Sequence, residues 1–384
     1  MENNWDQAPG ITVITPTHGR VDLVAQLLIS LQAARQAFSG PAEVLIVDSS
    51  PAHESENIQR ACSEHDAIYH HMSNNVRQKR NWGIQNAKYP IILFIDSDCI
   101  ADVHLLVEHA RLYSSNTIPD LGGVVGLTRF VGKENWVWQI IRRSSTLDAF
   151  SYPERHQVVP WGPTCNISYR RNVLEKVGLF DTTFPFVLGG DDTDLGLRVT
   201  DSGYQIMTSA HAIVEHEKRT WTRIYDIAQR RYRWGRMHYY LMRKHSHRVL
   251  IDPPTTLAIF LAMFILFAPT ALVSGIAAWA ILPFLWFTLE IILEAILISR
   301  GQGRQPREFL YMIGTCVLTI LYQVGTVVEG LINHSLAPLY KDANYCPPSK
   351  DGRRRGMAQM WAKVIALPLS VWLILLFQIL SRTN

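Results

Sequence analysis

The fold class the sequence predicts is an α/β domain with a mostly parallel sheet, followed by a C-terminal α-helical domain in the membrane. Three observations predict it. β-branched runs alternate with helix-periodic stretches over the first 250 residues, those runs end in polar or acidic residues, and from Pro253 to Leu289 no charged residue occurs.

Composition sets outer limits. At 384 residues, 48% hydrophobic and a net charge of +4, the chain exceeds one small core and is neither disordered nor uniformly basic, so no nucleic-acid partner is expected. The five cysteines, Cys62, Cys99, Cys165, Cys316 and Cys346, form no CxxC pair. A reducing compartment fits, with neither a disulfide framework nor a structural zinc.

In chain order, "GITVITPTHG" reads as a strand ending in turn residues, "RVDLVAQLLISLQAARQAF" as a helix, and "AEVLIVDSS" as a second buried strand. "NNVRQKRNWGIQNAK" leads from a loop into a helix, and "YPIILFIDSD" is a third strand. Ligands of such a sheet sit at the carboxyl ends of its strands, where Thr15, Thr17, Arg20, Asp48, Asp96 and Asp98 collect. Further on, "LGGVVGLTRF" and "QIMTSAHAIVEHE" read as strands. "GGDDTDL" is a glycine turn into an acidic helix start, and "TWTRIYDIAQRRYRWGRMHYYLMRK" has the composition of a helix on a membrane surface.

The start, "MENNWDQAPG", carries no cleavable signal pattern. Pro253 to Ser299 is long enough for a helical hairpin turning near "SGIAA", and Phe309 to Val328 and Val364 to Leu380 are further apolar segments. Basic flanks at "RMHYYLMRKHSHR" and "RGQGRQPR" place the N-terminal region in the cytoplasm. Phe309–Val328 stays open. If it spans, "KDGRRRG" lies outside; if it lies in the interface, "KDGRRRG" lies inside. The domains expected are 1–220, a linking helix over 221–252, and a membrane domain of three or four helices over 253–384.

Asp96 and Asp98 can reach one divalent cation that also bridges phosphate oxygens, although such a pair alone more often ends a strand. Asp48 can accept from a nucleobase or ribose, or form a turn. Lys79 and Arg80, at a helix start, suit a diphosphate or a solvated face. Asp191 and Asp192, at a helix N-terminus behind Gly189 and Gly190, suit a general base. Asp194 reads as structural. His211 and His216 flank the last strand, and His216 is better placed to complete a metal shell with Asp98. Glu290 and Glu294 lie one turn apart at membrane depth, so an acceptor role or pairing with Arg300 is open.

In order and spacing, "VITPTHGR", "EVLIVDSS", "RQKRNWGIQNAKYPIILFIDSDC", "GPTCNISYRRNVLEKVGLFD", "GGDDTDLGLRV" and "VEHE" resemble the family 2 glycosyltransferases of GT-A fold over roughly residues 10 to 240. The resemblance implies a Rossmann-like nucleotide-sugar domain, an inverting hexosyltransferase type of activity and a divalent metal, Mn²⁺ or Mg²⁺. Carried across, Asp192 is the base and Asp191 its neighbour, in Asp rather than the usual Glu form. Thr15, Pro16, Thr17, Arg20, Asp48, Lys79, Arg80, Asp96 and Ser97 bind the donor. Asp98, Asp96 and His216 hold the metal. Trp161, Gly162, Gly190, Arg233 and Trp234 lie on the acceptor side. A UDP- or GDP-linked donor, a lipid-linked or glycan acceptor and membrane lipids are the partners implied.

"QRRYRW" departs from the QxxRW of polymerising members by one residue, which turns Arg233 and Trp234 by about 100° relative to Gln229. Single transfer is therefore expected. A processive exopolysaccharide synthase and a non-catalytic nucleotide-binding scaffold are the alternatives.

Overall fold

The β-branched runs at Ile11–Thr17 (β1), Ala42–Asp48 (β2), Ile68–His71 (β3) and Ile91–Phe94 (β4) lie side by side in parallel, in the order β3-β2-β1-β4. Helices Val21–Ala37 (α1), Ala52–Glu64 (α2) and Val76–Asn86 (α3) make the crossovers. Because helices cover both faces, β1, β2 and β4 are buried almost throughout. In α1 the buried residues Leu23, Val24, Leu27, Leu28 and Leu31 make one stripe against the sheet. The computed structural model describes residues 8–382 apart from 115–117, 186–188, 302–304, 306–307, 344 and 348–349.

Beyond β4 the sheet becomes mixed. Cys99–Ala101 (β5), helix Leu105–Ser114 (α4), strand Leu121–Val131 (β6), helix Trp136–Arg143 (α5), Val158–Val159 (β7), Ile167–Arg170 (β8) and helices Arg171–Val177 (α6) and Asp191–Asp201 (α7) lead to the long strand Gln205–Glu217 (β9). β8 runs antiparallel between β4 and β6, and β6 pairs in parallel with β9. After the turn at Asp96–Asp98, β5 doubles back on β9 and sets Cys99 opposite His216. That pairing brings the end of one strand onto the end of another 117 residues later.

The remaining chain is helical: Ile224–Lys244 (α8), Thr256–Ser274 (α9), Ala278–Gly301 (α10), Phe309–Ile332 (α11) and Lys350–Arg382 (α12), with a two-stranded ribbon of Val249–Ile251 (β10) and Lys341–Ala343 (β11). Gly275, at φ +69°, ends α9, so the hairpin turns within "SGIAA". Among the described residues, four helices are long and apolar enough to cross a membrane. Thr256–Ser274, Ala278–Gly301, Phe309–Ile332 and Gly352–Ile379 have mean hydropathies of 2.4, 2.1, 1.6 and 2.0.

The least apolar of these, α11, packs on α5 and α8. Gly235 and Gly325 face each other across the α8–α11 crossing. A Cβ on Gly235 would meet the Tyr322 carbonyl, and one on Gly325 the Tyr232 carbonyl. Glu329 accepts from Arg236 Nε at 2.6 Å and from the Tyr240 hydroxyl. At its other end, Glu308 pairs with Arg143 of α5. One face of α8, which the sequence marks for a membrane surface, is thus spent on protein: Gly235, Met237, His238, Tyr239 and Leu241 are buried.

Candidate active site

The polar strand ends and the start of α7 open onto one cleft of about 1250 Å³, which continues beside α8 toward α10, α11 and α12. Pro16, Thr17, Arg20, Lys79, Arg80, Asp96, Ser97, Asp98, Trp161, Gly190, Asp191, Asp192, His216 and Trp234 line it. Sequence reasoning named all of these residues, from seven separate stretches of chain.

Asp98 is the hub of one side. Its Oδ2 accepts from Arg20 Nη1 at 2.7 Å, and its Oδ1 lies 3.4 Å from His216 Nε2. His216 Nδ1 is 3.0 Å from the carbonyl oxygen of Glu217, which places the ring proton on Nδ1 and turns the Nε2 lone pair toward Asp98. A carboxylate and an imidazole so arranged fit a divalent ion such as Mn²⁺. The Cys99 sulfur lies within the same group, but burial pushes its thiol well above the usual range, so it offers no thiolate.

Arg80 ties this side to the acidic helix. From α3 its Nη1 donates to Asp191 Oδ2 at 2.5 Å, while its Nη2 donates to Thr164 Oγ1 at 2.7 Å and lies 3.4 Å from Asp96 Oδ1. Asp191 is thereby committed to an ion pair. Its neighbour is not. Among the described residues, Asp192 accepts only from groups of the next residue, including the Thr193 amide at 2.8 Å. Loss of solvent, and then the charge of Asp191, push Asp192 up to about 7. Two adjacent carboxylates therefore have different chemistry, and the one near neutrality suits proton abstraction.

The glycines before α7 allow this approach. Gly190 (φ +75°) and Gly189 (φ +106°) adopt left-handed backbone, and a side chain at either would run into Met237 or Trp234. Asp194 serves the frame, as its position predicts: although burial opposes it, hydrogen bonds from His245 and Lys244 and the Arg198 charge hold its carboxyl below the ordinary range.

Four of the residues expected at the site stand back from the cleft. Asp48, fully buried, accepts from the Ser50 amide at 2.9 Å and the Tyr69 hydroxyl at 3.0 Å. Thr15 is buried within β1, and Gly162 lies where a Cβ would strike Val125. Arg233 is exposed, with Nη2 donating to Gln229 Oε1 at 3.2 Å. Lys79 reaches the wall, but its Nζ donates to the Thr17 carbonyl and the Ser49 hydroxyl, each at 2.6 Å; burial lowers it to about 8.

The residues that sequence reasoning passed over are Thr164, Arg230 and Arg231. Arg230 lies four residues before Trp234, one helical turn away on the same face, and its guanidinium sits 3.8 Å from the centre of the Trp221 ring. The 3.6-residue period would have picked out 230 and 234 together, once the buried face of α8 was known.

Comparisons with known proteins agree with this geometry. Residues 12–178 match the model of glycosyl transferase family 2, and residues 158–331 that of glycosyl transferase family 21. A pre-mycofactocin glycosyltransferase of Mycobacterium tuberculosis is 25% identical over 215 residues, covering 55% of this chain and 43% of that protein. The glycosyltransferase AglE of Haloferax volcanii is 24% identical over 213 residues, covering 54% of this chain and 66% of that protein. The match thus spans less than half the length of the first of these relatives. Among solved structures, the mannosyltransferase PcManGT from Pyrobaculum calidifontis, in complex with GDP-Man and Mn²⁺, superposes with a TM-score of 0.50 at 18% identity, over 86% of this chain and 91% of that one. Residues 12–178 are thus similar to glycosyl transferase family 2, and the chain has a GT-A-like α/β fold ahead of C-terminal apolar helices.

Proposed function

We propose that the protein is a membrane-anchored, inverting glycosyltransferase that moves one sugar from a nucleotide-sugar donor to a hydroxyl of a lipid-linked acceptor. The observation that carries this reading is the separation of Asp191 from Asp192. One is held in an ion pair with Arg80, and the other stands in the cleft near neutrality.

In the reaction, the Asp192 carboxylate takes the acceptor hydroxyl's proton as that oxygen attacks the anomeric carbon. The bond from that carbon to the diphosphate breaks, and the nucleoside diphosphate leaves with the electron pair. Asp98 and His216, with Asp96 beside them, would hold a divalent metal. Such an ion neutralises charge on the leaving diphosphate. Arg80 positions Asp191 against Asp96 and so keeps the acidic helix and the aspartate turn in register. That the solved relative binds GDP-Man and Mn²⁺ supports a nucleoside diphosphate donor and a metal here.

Single transfer is favoured over processive synthesis because Trp234 faces the cleft while Arg233 does not. Anchoring with the catalytic domain on the cytoplasmic side is supported by the four apolar helices and their basic flanks.

Asp192→Asn tests the reading. Transfer should fall by about 10²–10⁴-fold, while stabilisation of the protein by a nucleoside diphosphate with Mn²⁺ is kept. Unchanged turnover would remove Asp192 from the chemistry.

A further inference from the structure

The turn that follows α8 carries a pair of histidines that the cleft does not use. His245 caps α8, and His247 lies in the short helical turn Ser246–Arg248 directly after it. Both approach Asp201, the last residue of α7. None of the three lines the cleft. Because α7 has 11 residues and begins with Asp191, the group stands about 15 Å along that helix from the catalytic acids.

The hydrogen bonds around His245 fix which of its nitrogens is free. Its Nε2 lies 3.0 Å from Asp194 Oδ1, and an ionised carboxylate only accepts, so Nε2 carries the proton and Nδ1 keeps its lone pair. That Nδ1 is 3.7 Å from Asp201 Oδ2, and His247 Nε2 is 3.2 Å from the same oxygen. Neither contact has hydrogen-bond geometry. Arg248 donates to the other oxygen of Asp201, Oδ1. Two imidazole nitrogens and a carboxylate oxygen thus converge with no donor among them.

Converging lone pairs suit a cation. One ligand atom from each of Asp201, His245 and His247 lies within 4.8 Å of the others. Around a tetrahedral Zn²⁺ with bonds of about 2.0–2.1 Å, neighbouring ligand atoms are about 3.3 Å apart, so the separations of 3.2 and 3.7 Å need little adjustment. Two imidazoles with a single carboxylate favour Zn²⁺ over Mg²⁺, which prefers oxygen. Asp194, behind His245, is the kind of carboxylate that orients a ligating imidazole and makes it more basic. The nearby cations are engaged elsewhere: Arg248 on Oδ1 of Asp201, and Lys244 and Arg198 on Asp194. His247 is exposed, which leaves a fourth position open to water.

We propose that Asp201, His245 and His247 form a second metal site, for Zn²⁺ or an ion of similar preference, separate from the place of a metal at Asp98. The site joins the end of α7 to the end of α8. One of these helices begins with the catalytic acids and the other presents Trp234 to the cleft, so a metal bound here braces the cleft walls without entering the chemistry.

Thermal unfolding of the full-length, untagged protein in detergent tests it, after treatment with a chelator and with Zn²⁺ alone as the probe. His216→Ala is present in every sample, so that a response at Asp98 does not mask this one. Zn²⁺ at micromolar concentration should raise Tm, and Mg²⁺ at the same concentration should not. His247→Ala and Asp201→Asn should each weaken the apparent Zn²⁺ affinity about ten-fold or more, the size of effect already seen when only a ligand's supporting partner is lost. His247→Cys should keep the response, since a thiolate can replace the imidazole. The exposure of His247 lets its variants fold even where Asp201→Asn, which also loses the Arg248 pair, does not. Absence of a Zn²⁺ shift, or a shift undiminished by His247→Ala, overturns the proposal. A stability loss in His247→Ala that is equal with and without Zn²⁺ would assign the group to ion pairing alone and likewise overturns it.

Discussion

At the scale of residues, the site works by giving like groups unlike surroundings. Asp192 has an ordinary value of 3.8 and is pushed up to about 7, so activity should rise with pH to a midpoint near 7. Stability carries the opposite sign. In the unfolded chain this acid binds its proton only below about pH 4, so the native state gains from holding it and loses that gain as pH rises through 7. Relative to the unaltered protein, Asp192→Asn should therefore become progressively more stable from pH 4 to pH 8 in denaturant titrations. A constant difference across that range would mean the carboxyl is not perturbed. On the opposite wall, His216→Ala removes the imidazole that faces Asp98, and the Mn²⁺-dependent part of the nucleotide thermal shift should disappear. A Mn²⁺ response of full size would exclude His216 as a ligand.

At the scale of elements, sequence patterns were informative wherever an element's partner was water or the sheet. β1, β2 and β4 announce themselves as buried runs, and the aspartate turn after β4 and the glycine turn before α7 are local signals that need no knowledge of the rest. Strand β5, three residues long, had no such signature, because its pairing with β9 is decided by a strand far along the chain. Helix α8 was legible as a helix but not in phase. Its charge pattern suits a membrane surface, and only the presence of α11 shows that Gly235 faces protein while Arg233 faces out. The depth of Asp48 is not legible for a similar reason: a strand end reads the same whether a tyrosine from β3 covers it or a ligand does. The crossing itself is testable. Gly325→Val would drive a side chain into the Tyr232 carbonyl and should cost about 1–3 kcal/mol, visible as a lower Tm. An unchanged melting curve would show that the two backbones do not approach so closely.

At the scale of the whole molecule, the hydropathy of Phe309–Ile332 left its place open, and its attachments argue for one answer. Tied to α5 at one end and to α8 at the other, α11 is expected to lie along the bilayer surface, leaving α9, α10 and α12 to cross. The contact of Arg355 with Arg143 puts the basic start of α12 beside the catalytic domain, in keeping with its charge. A single cysteine placed at Arg353 should then be labelled from the catalytic side of sealed vesicles. Labelling of the Arg353 cysteine from the side opposite the catalytic domain would restore α11 as a crossing helix.

The glycine-to-glycine crossing of α8 and α11 has a mechanical meaning. The α/β domain and the apolar helices share one rigid element, because α8 contributes Trp234 and Arg230 to the cleft and Gly235 to the crossing within a turn and a half of helix. On the proposed reading this fixes the height of the site above the bilayer, and an acceptor would be selected partly by how far its reactive hydroxyl stands from its own anchor, as a ruler selects by length.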